Sequence, residues 1–257
     1  SVSPAQVVGS VMAEAAPHIA DDALIVSASK GIETTTLRRM NEVMSGVLSP
    51  AQIAGFTVLS GPSFALEVAR GIPTAVVAAS GSSDAALAMQ DLFQTEYFRV
   101  YTGSDVIGVE LGGALKNVIA LGAGVAAGLG GGLNTLAALI TRGLAEIRRL
   151  GVAMGAQAST FSGLAGMGDL VLTCTGPLSR NRTVGYRLGQ GEALDDILGE
   201  MSAVAEGVAT AHAAHDLAAE YGVEMPIAEE VFGILTLGAD PEQALKNLME
   251  RDSKPEN

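Results

Sequence analysis

The chain of 257 residues is long enough for one large or two ordinary domains, and its formal net charge of −13 leaves no broad basic face of the kind nucleic acid demands. Hydrophobic residues make up 48% and aromatics 4%, with 32 glycines and no Trp; this excludes a disordered chain and sets a core of Ala, Val, Leu and Ile closed by tight helix contacts. The single cysteine, Cys174, excludes an intramolecular disulfide framework and suits a cytoplasmic protein, and no signal or transit peptide is expected.

Ser1-Val-Ser-Pro4 reads as a strand just ended and a helix beginning, with Pro4 in the first turn. Residues 5–19 are expected to be helical, with Val7, Val8, Val11, Met12 and Ala15 on one side. After the Asp21-Asp22 turn, 23–27 is a short apolar run of the kind buried in a parallel sheet. The small-residue loop that follows carries Lys30 at the carboxyl edge of that strand, where open α/β sheets bind ligands. A helix over 34–47 and a strand over 56–60 come next. Gly61-Pro62-Ser63-Phe64-Ala65 then leads into a helix through Arg70. With Ser60 or Gly61 as its cap, the free N–H groups and the Ser63 hydroxyl form either an anion seat or an ordinary strand-to-helix turn. A strand over 73–79, a helix over 83–93 and a strand over 98–102 complete the alternation. Such alternation predicts a doubly wound parallel sheet over residues 1–105, an incomplete Rossmann-type domain.

From Ser104 onward the pattern is helical, so 106–257 is expected to form an all-α domain. Its uncharged segment 117–133 is loaded with glycine and reads as a buried helix and turn, with no stable membrane insertion. Further helices are expected over 156–162, 182–189, 193–201, 207–221, 227–235 and 241–251, ahead of a loose polar tail.

Lys116 stands among small and aliphatic residues, with Glu110 the one acid close to it in sequence. Desolvation of its ammonium lowers its pKa towards the range where it can give and retake a proton, which makes it the candidate chemical centre; the alternative is a lysine that snorkels to the helix end. The run from Gly163 to Arg182 carries Asp169 after three spaced glycines, then Ser179-Arg180-Asn181-Arg182 before a helix. Two arginines beside Ser and Asn at a helix start suit a phosphate, against the plainer reading of a solvated basic turn.

Together, SASKGIE at 27–33, GPSFALEVARGIPTAVV at 61–77, ELGGALKNVIALGAG at 110–124, NTLAALITRGLAEIRRLG at 134–151 and GLAGMGDLVLTCTGPLSRNRTVG at 163–185 strongly resemble bacterial NAD(P)-dependent glycerol-3-phosphate dehydrogenases. The resemblance implies interconversion of sn-glycerol 3-phosphate and dihydroxyacetone phosphate with NAD or NADP, feeding glycerophospholipid synthesis; a homodimer and no metal are the accompanying expectations. It makes Lys116 the catalytic acid/base, and Lys30, Gly61, Ser63, Asp169, Ser179, Arg180 and Asn181 the substrate contacts, with Asp169 either holding a substrate hydroxyl or orienting Lys116. Lys30, Ala65, Arg180, Val204 and Glu206, the last two within Ala203-Val-Ala-Glu-Gly207, are the implied cofactor contacts, and Asn117 and Asn134 are implied to hydrogen-bond near the reacting centre. No G-x-G-x-x-G follows a strand. About 60 or 70 residues of the family's first βαβαβ half are therefore expected to be missing, an incomplete gene product with weakened cofactor affinity and an open sheet edge. The competing readings are a related hydroxy-acid dehydrogenase and a non-catalytic remnant that binds a triose phosphate or a partner chain.

Overall fold

The computed structural model describes residues 1–201, 204–253 and 255; Ala203 of the expected cofactor motif and Lys254, Glu256 and Asn257 of the polar tail lie outside them. A single turn over Ala5–Val7 leads into α1 (Val8–Ala15), and β1 (Val26–Ser27), α2 (Met40–Ser45), α3 (Pro50–Ile53), β2 (Thr57–Ser60), α4 (Ala65–Ala69), β3 (Thr74–Ser80), α5 (Ser83–Phe93) and β4 (Phe98–Gly103) follow. The strands lie in the order β1-β2-β3-β4. They form the expected sheet wound with helices, with one difference: β1–β2 and β3–β4 run parallel, but β2–β3 runs antiparallel, so the sheet is mixed. The cause is the connection. Between β2 and β3 stands only the five-residue α4, and the chain turns back at Gly71 (φ 68°), so β3 enters at the end from which β2 left. A parallel return needs a longer crossover.

The helix expected over 34–47 shrinks to α2. Before it the chain makes a tight loop in which Glu33 N–H donates to the Arg38 carbonyl (3.0 Å), Ile32 bridges Arg39, and Leu37 adopts a left-handed φ of 57° while packing against the helical core. Tertiary contact here overrides helix propensity. β1 likewise forms over two residues instead of five, because β2 begins pairing only at Val26.

Beyond β4 the described residues are helical, in α6 (Val106–Gly128), α7 (Leu133–Ala153), α8 (Asp169–Thr175), α9 (Arg180–Gly189), α10 (Leu194–Glu200), α11 (Glu206–Glu220), α12 (Pro226–Thr236) and α13 (Pro241–Met249). Asp105 starts α6: one carboxylate oxygen accepts Gly108 N–H (2.9 Å), and the other accepts Gln157 N–H (2.9 Å) and the Thr160 hydroxyl (2.6 Å). α6 is long and apolar enough to cross a membrane, but 89% of its most apolar window is buried inside the protein, which makes it the core helix. The glycines expected to give tight helix contacts do so. A Cβ on Gly124 would lie 2.2 Å from the Arg182 carbonyl oxygen, and one on Gly185 2.0 Å from that of Leu121, so α9 rests directly on the α6 backbone. A Cβ on Gly207 would lie 2.7 Å from the Asn117 carbonyl oxygen, which seats the start of α11 against the same helix beside Lys116.

Candidate active site

Lys116 lies mid-way along α6 and is 6% exposed, so its amine is withdrawn from bulk solvent. Glu110 does not compensate it, because that carboxylate is taken by Arg39 (2.7 Å). The partner comes from 53 residues away: Lys116 Nζ donates to Asp169 Oδ1 and to Thr173 Oγ1 (2.9 Å), and the Thr173 hydroxyl in turn donates to the Asp169 carbonyl (2.6 Å). Asp169 and Thr173 are four apart on α8 and therefore share one face. The other Asp169 oxygen accepts from Lys30 Nζ (2.6 Å), which also donates to the Gly61 carbonyl (3.3 Å). One carboxylate thus holds two amines, one delivered by the loop at the carboxyl end of β1 and one by the core helix.

Burial pushes the Lys116 ammonium down, the neighbouring Lys30 adds to that, and Asp169 opposes both; the balance is a pKa of about 7. Burial alone would raise Asp169, but Lys30 and Lys116 hold its carboxyl below the ordinary range, so it stays ionised. Cys174, one residue beyond Thr173, is pushed up to about 12 by burial and remains a thiol.

A cleft of about 520 Å³ opens over this cluster, lined by Lys30, Lys116, Asn117, Thr173, Phe64 and the Ser179–Asn181 turn, with Ser3, Ser29, Val204 and Glu206 on another wall. Ser179 caps α9, its Oγ accepting from Arg182 N–H (3.3 Å). Asn181 is locked by accepting Gly207 N–H on its Oδ1 (2.9 Å), while Arg180 stands exposed at the mouth. Although the chain is strongly acidic, Lys30, Lys116 and Arg180 outnumber Asp169 and Glu206 here, so the cleft favours an anion.

The structure does not bring every expected residue to the cleft. Gly61 contributes its carbonyl, at a φ of 146° that leaves a Cβ no room, only 2.9 Å from the Val76 Cα. Ser63 turns its hydroxyl back onto the Gly61 carbonyl (3.1 Å), and Ala65 is exposed at the start of α4; neither lines the cleft. The anion seat expected there is not formed as drawn, because Phe64, not Ser60 or Gly61, precedes the first helical residue and no side chain caps it. Asn134 lies outside the cleft as well. It opens α7 and lines a separate cavity of about 660 Å³ with Arg149, Ile227 and Leu248. From Lys116 to the end of α6 is twelve residues, roughly 18 Å along the axis, and α7 starts beyond that end. Thr173 and Phe64 were not foreseen; the only signal for Thr173 was its spacing of four from Asp169.

The wall at the start of α11 leaves an acceptor that could hold part of a cofactor. Glu206 Oε1 accepts Ala5 N–H (3.3 Å), but its Oε2 is buried without a partner, an acceptor suited to an amide or ribose hydroxyl, and burial raises its pKa. Val204 leaves its side chain exposed beside it.

A buried lysine with a pKa of about 7, joined through one carboxylate to a second lysine at the carboxyl end of a strand of the wound sheet, fits the class of nucleotide-dependent dehydrogenases. Comparison with known proteins agrees. Residues 1–86 match the NAD-dependent glycerol-3-phosphate dehydrogenase N-terminus family and residues 105–246 the corresponding C-terminus family. The chain is 61% identical over 255 residues to a glycerol-3-phosphate dehydrogenase [NAD(P)+] of Geobacter metallireducens, covering 99% of this chain and 76% of that protein. Its namesake from Geobacter sulfurreducens is 60% identical with the same coverage. The crystal structure of a glycerol-3-phosphate dehydrogenase from Coxiella burnetii superposes with a TM-score of 0.91 at 39% identity, over 96% of this chain and 75% of that one. The chain belongs to the NAD-dependent glycerol-3-phosphate dehydrogenase family.

Proposed function

We infer that the chain interconverts sn-glycerol 3-phosphate and dihydroxyacetone phosphate with NAD or NADP, and that Lys116 is its acid/base. The observation that carries this is the Lys30–Asp169–Lys116 cluster on the floor of a cleft rimmed by Ser179, Arg180 and Asn181. The bound nicotinamide supplies the hydride in reduction and accepts it in oxidation. Lys116, protonated, gives its proton to the carbonyl oxygen in reduction; neutral, it removes the proton of the 2-hydroxyl in oxidation. Asp169 and Thr173 fix the amine in one position, so that the proton travels along a set direction. Lys30 holds the second carboxylate oxygen and presents positive charge to the substrate. Arg180 meets the phosphate, with Ser179 and Asn181 on either side of it. Val204 and Glu206 bind the cofactor's nicotinamide end. Gly61, Ser63 and Ala65 act indirectly, by shaping the turn whose carbonyl anchors Lys30. Supply of glycerol 3-phosphate to glycerophospholipid synthesis in the cytoplasm, by a homodimer, goes with this reading.

Loss of absorbance at 340 nm with dihydroxyacetone phosphate and reduced cofactor tests it. Turnover that disappears in Lys116→Ala is expected; no turnover in wild type overturns the activity. Equal rates on phosphorylated and unphosphorylated substrate would remove Arg180 from its role.

A further inference from the structure

The loop between β1 and α2 carries Lys30 at one end and Arg39 at the other, and it lies along α6. At its far end the Arg39 guanidinium is buried, donating to Glu110 Oε2 (2.7 Å), while Asn41 N–H donates to Glu110 Oε1 (2.7 Å). At its near end the stem of Lys30 rests on Gly113: a Cβ there would lie 3.5 Å from Lys30 Cγ. Between these points Ile32 is fully buried in the helical core. Glu110, Gly113 and Lys116 stand three residues apart in succession on α6, within two turns of helix.

We propose that the buried Arg39–Glu110 pair is a positioning device for the proton-transfer centre: it bolts the loop that delivers Lys30 to the helix that delivers Lys116, and so fixes both amines on Asp169. The inference rests on Lys116 being the acid/base. Arg39 and Glu110 touch no part of the cleft and act only through the two lysines. The pair is not needed merely to hold the loop in the fold. Gln6 grips the loop from the other side, donating to the Ile32 carbonyl (2.8 Å) and accepting from Thr34 N–H (3.0 Å), and Glu42 keeps a second ion pair with Arg39 (2.9 Å). Releasing Glu110 therefore lets Lys30 drift from its seat without unfolding the loop. The charged and titratable groups facing Lys116 are Lys30 from this loop and Asp169 and Cys174 from α8; those facing Glu110 are Arg39 and Glu42. When Lys30 moves away, the repulsion that disfavours the charged form of Lys116 weakens, and its titration moves to higher pH.

The test is Glu110→Gln, which keeps the shape and an acceptor oxygen but removes the charge. The control is Glu146→Gln, a buried carboxylate on α7 with no contact to the loop or the cleft. The chain has four lysines, so 13C-labelled lysine gives a sparse NMR spectrum in which the Lys116 side chain is assigned with Lys116→Arg. In Glu110→Gln the Lys116 titration midpoint in the cofactor-free protein is expected to rise by about half a unit or more. On the order of a tenfold loss in kcat should accompany it, with a rise in KM because Lys30 also presents charge to the substrate. Arg39→Lys, made in the chain that keeps Glu110, preserves the charge and is expected to retain most of the wild-type midpoint. An unchanged midpoint in folded Glu110→Gln overturns the proposal, as does an equal shift in Glu146→Gln. The NMR readout needs no turnover, so a wild type that fails the 340 nm assay defeats the activity assignment and leaves this test standing.

Discussion

Two buried charges on adjacent helices, Lys116 of α6 and Glu146 of α7, are each shifted by burial to a pKa of about 7, yet their surroundings point to different uses. Glu146 is 2% exposed and accepts from Ile227 N–H (2.9 and 3.1 Å) and Ala228 N–H (3.3 Å), so its carboxylate caps the start of α12. The hydrogen bonds it accepts from α12 come from backbone groups that do not titrate. Lys116 is held by a carboxylate and a hydroxyl, both on side chains, and the cleft above it admits a small anion. A displaced pKa thus marks burial, and an adjoining cavity does not separate the two, since Glu146 lines the cavity of about 660 Å³; what sets Lys116 apart is that its partner is an ionised side chain, Asp169, shared with a second amine.

The contrast can be broken most directly by mutation. Lys116→Met should lower kcat about 10²- to 10⁴-fold while the protein stays folded, because an apolar side chain of similar length fills the same space. Near-normal turnover in a steady-state assay would place Lys116 with Glu146 as a structural charge. The pH dependence sharpens the same point. Reduction needs the protonated amine and oxidation the neutral one, so with a pKa of about 7 the reductive rate should fall, and the oxidative rate rise, as pH increases through that value. Rates measured in both directions across pH 5.5 to 9 check this, and parallel profiles would be incompatible with one shared acid/base.

Glu146→Ala should do the reverse of Lys116→Met. It strands two backbone donors at the start of α12 and is expected to cost about 1–3 kcal/mol in denaturant unfolding, with kcat unchanged. The smallest effect is on the pH dependence of stability. Burial raises the folded-state pKa of Glu146 from the ordinary carboxylate value to about 7, so the folded chain binds the proton more tightly. Its contribution is full below about pH 4.5 and is lost as pH rises through about 7. Glu146→Gln should flatten that part of the stability curve, as thermal midpoints at pH 5 and pH 8 would show.

Local pattern was enough where neighbours in sequence are also neighbours in space. The helix over Ser83–Phe93 appears with the expected bounds, since Ser82 caps it through Ala85 N–H and its apolar residues repeat at helical spacing. The long Gly/Ala stretch was legible as a buried helix for the same reason. Helix α8 went unread because its glycine-rich approach masks the start, and the 34–47 segment misled because Leu37 and Arg39 are held by contacts with a distant helix. At the site, Lys116 stands out by its apolar neighbours and the resemblance offers Asp169 as a group that could orient it, but nothing in the chain shows that Lys30 shares the same carboxylate.

The sequence by itself determined the alternation of strands and helices, the core helix, the family and which lysine is set among apolar residues, because these depend on composition, periodicity and motifs that are contiguous in the chain. Only the tertiary structure decided that Asp169 bridges Lys30 and Lys116, that Glu110 belongs to Arg39, that Asn134 lies elsewhere, and that β2 and β3 run antiparallel. Each of those depends on how helices and strands pack at separations of up to 139 residues, and charge pairing across such distances is set by the fold's geometry.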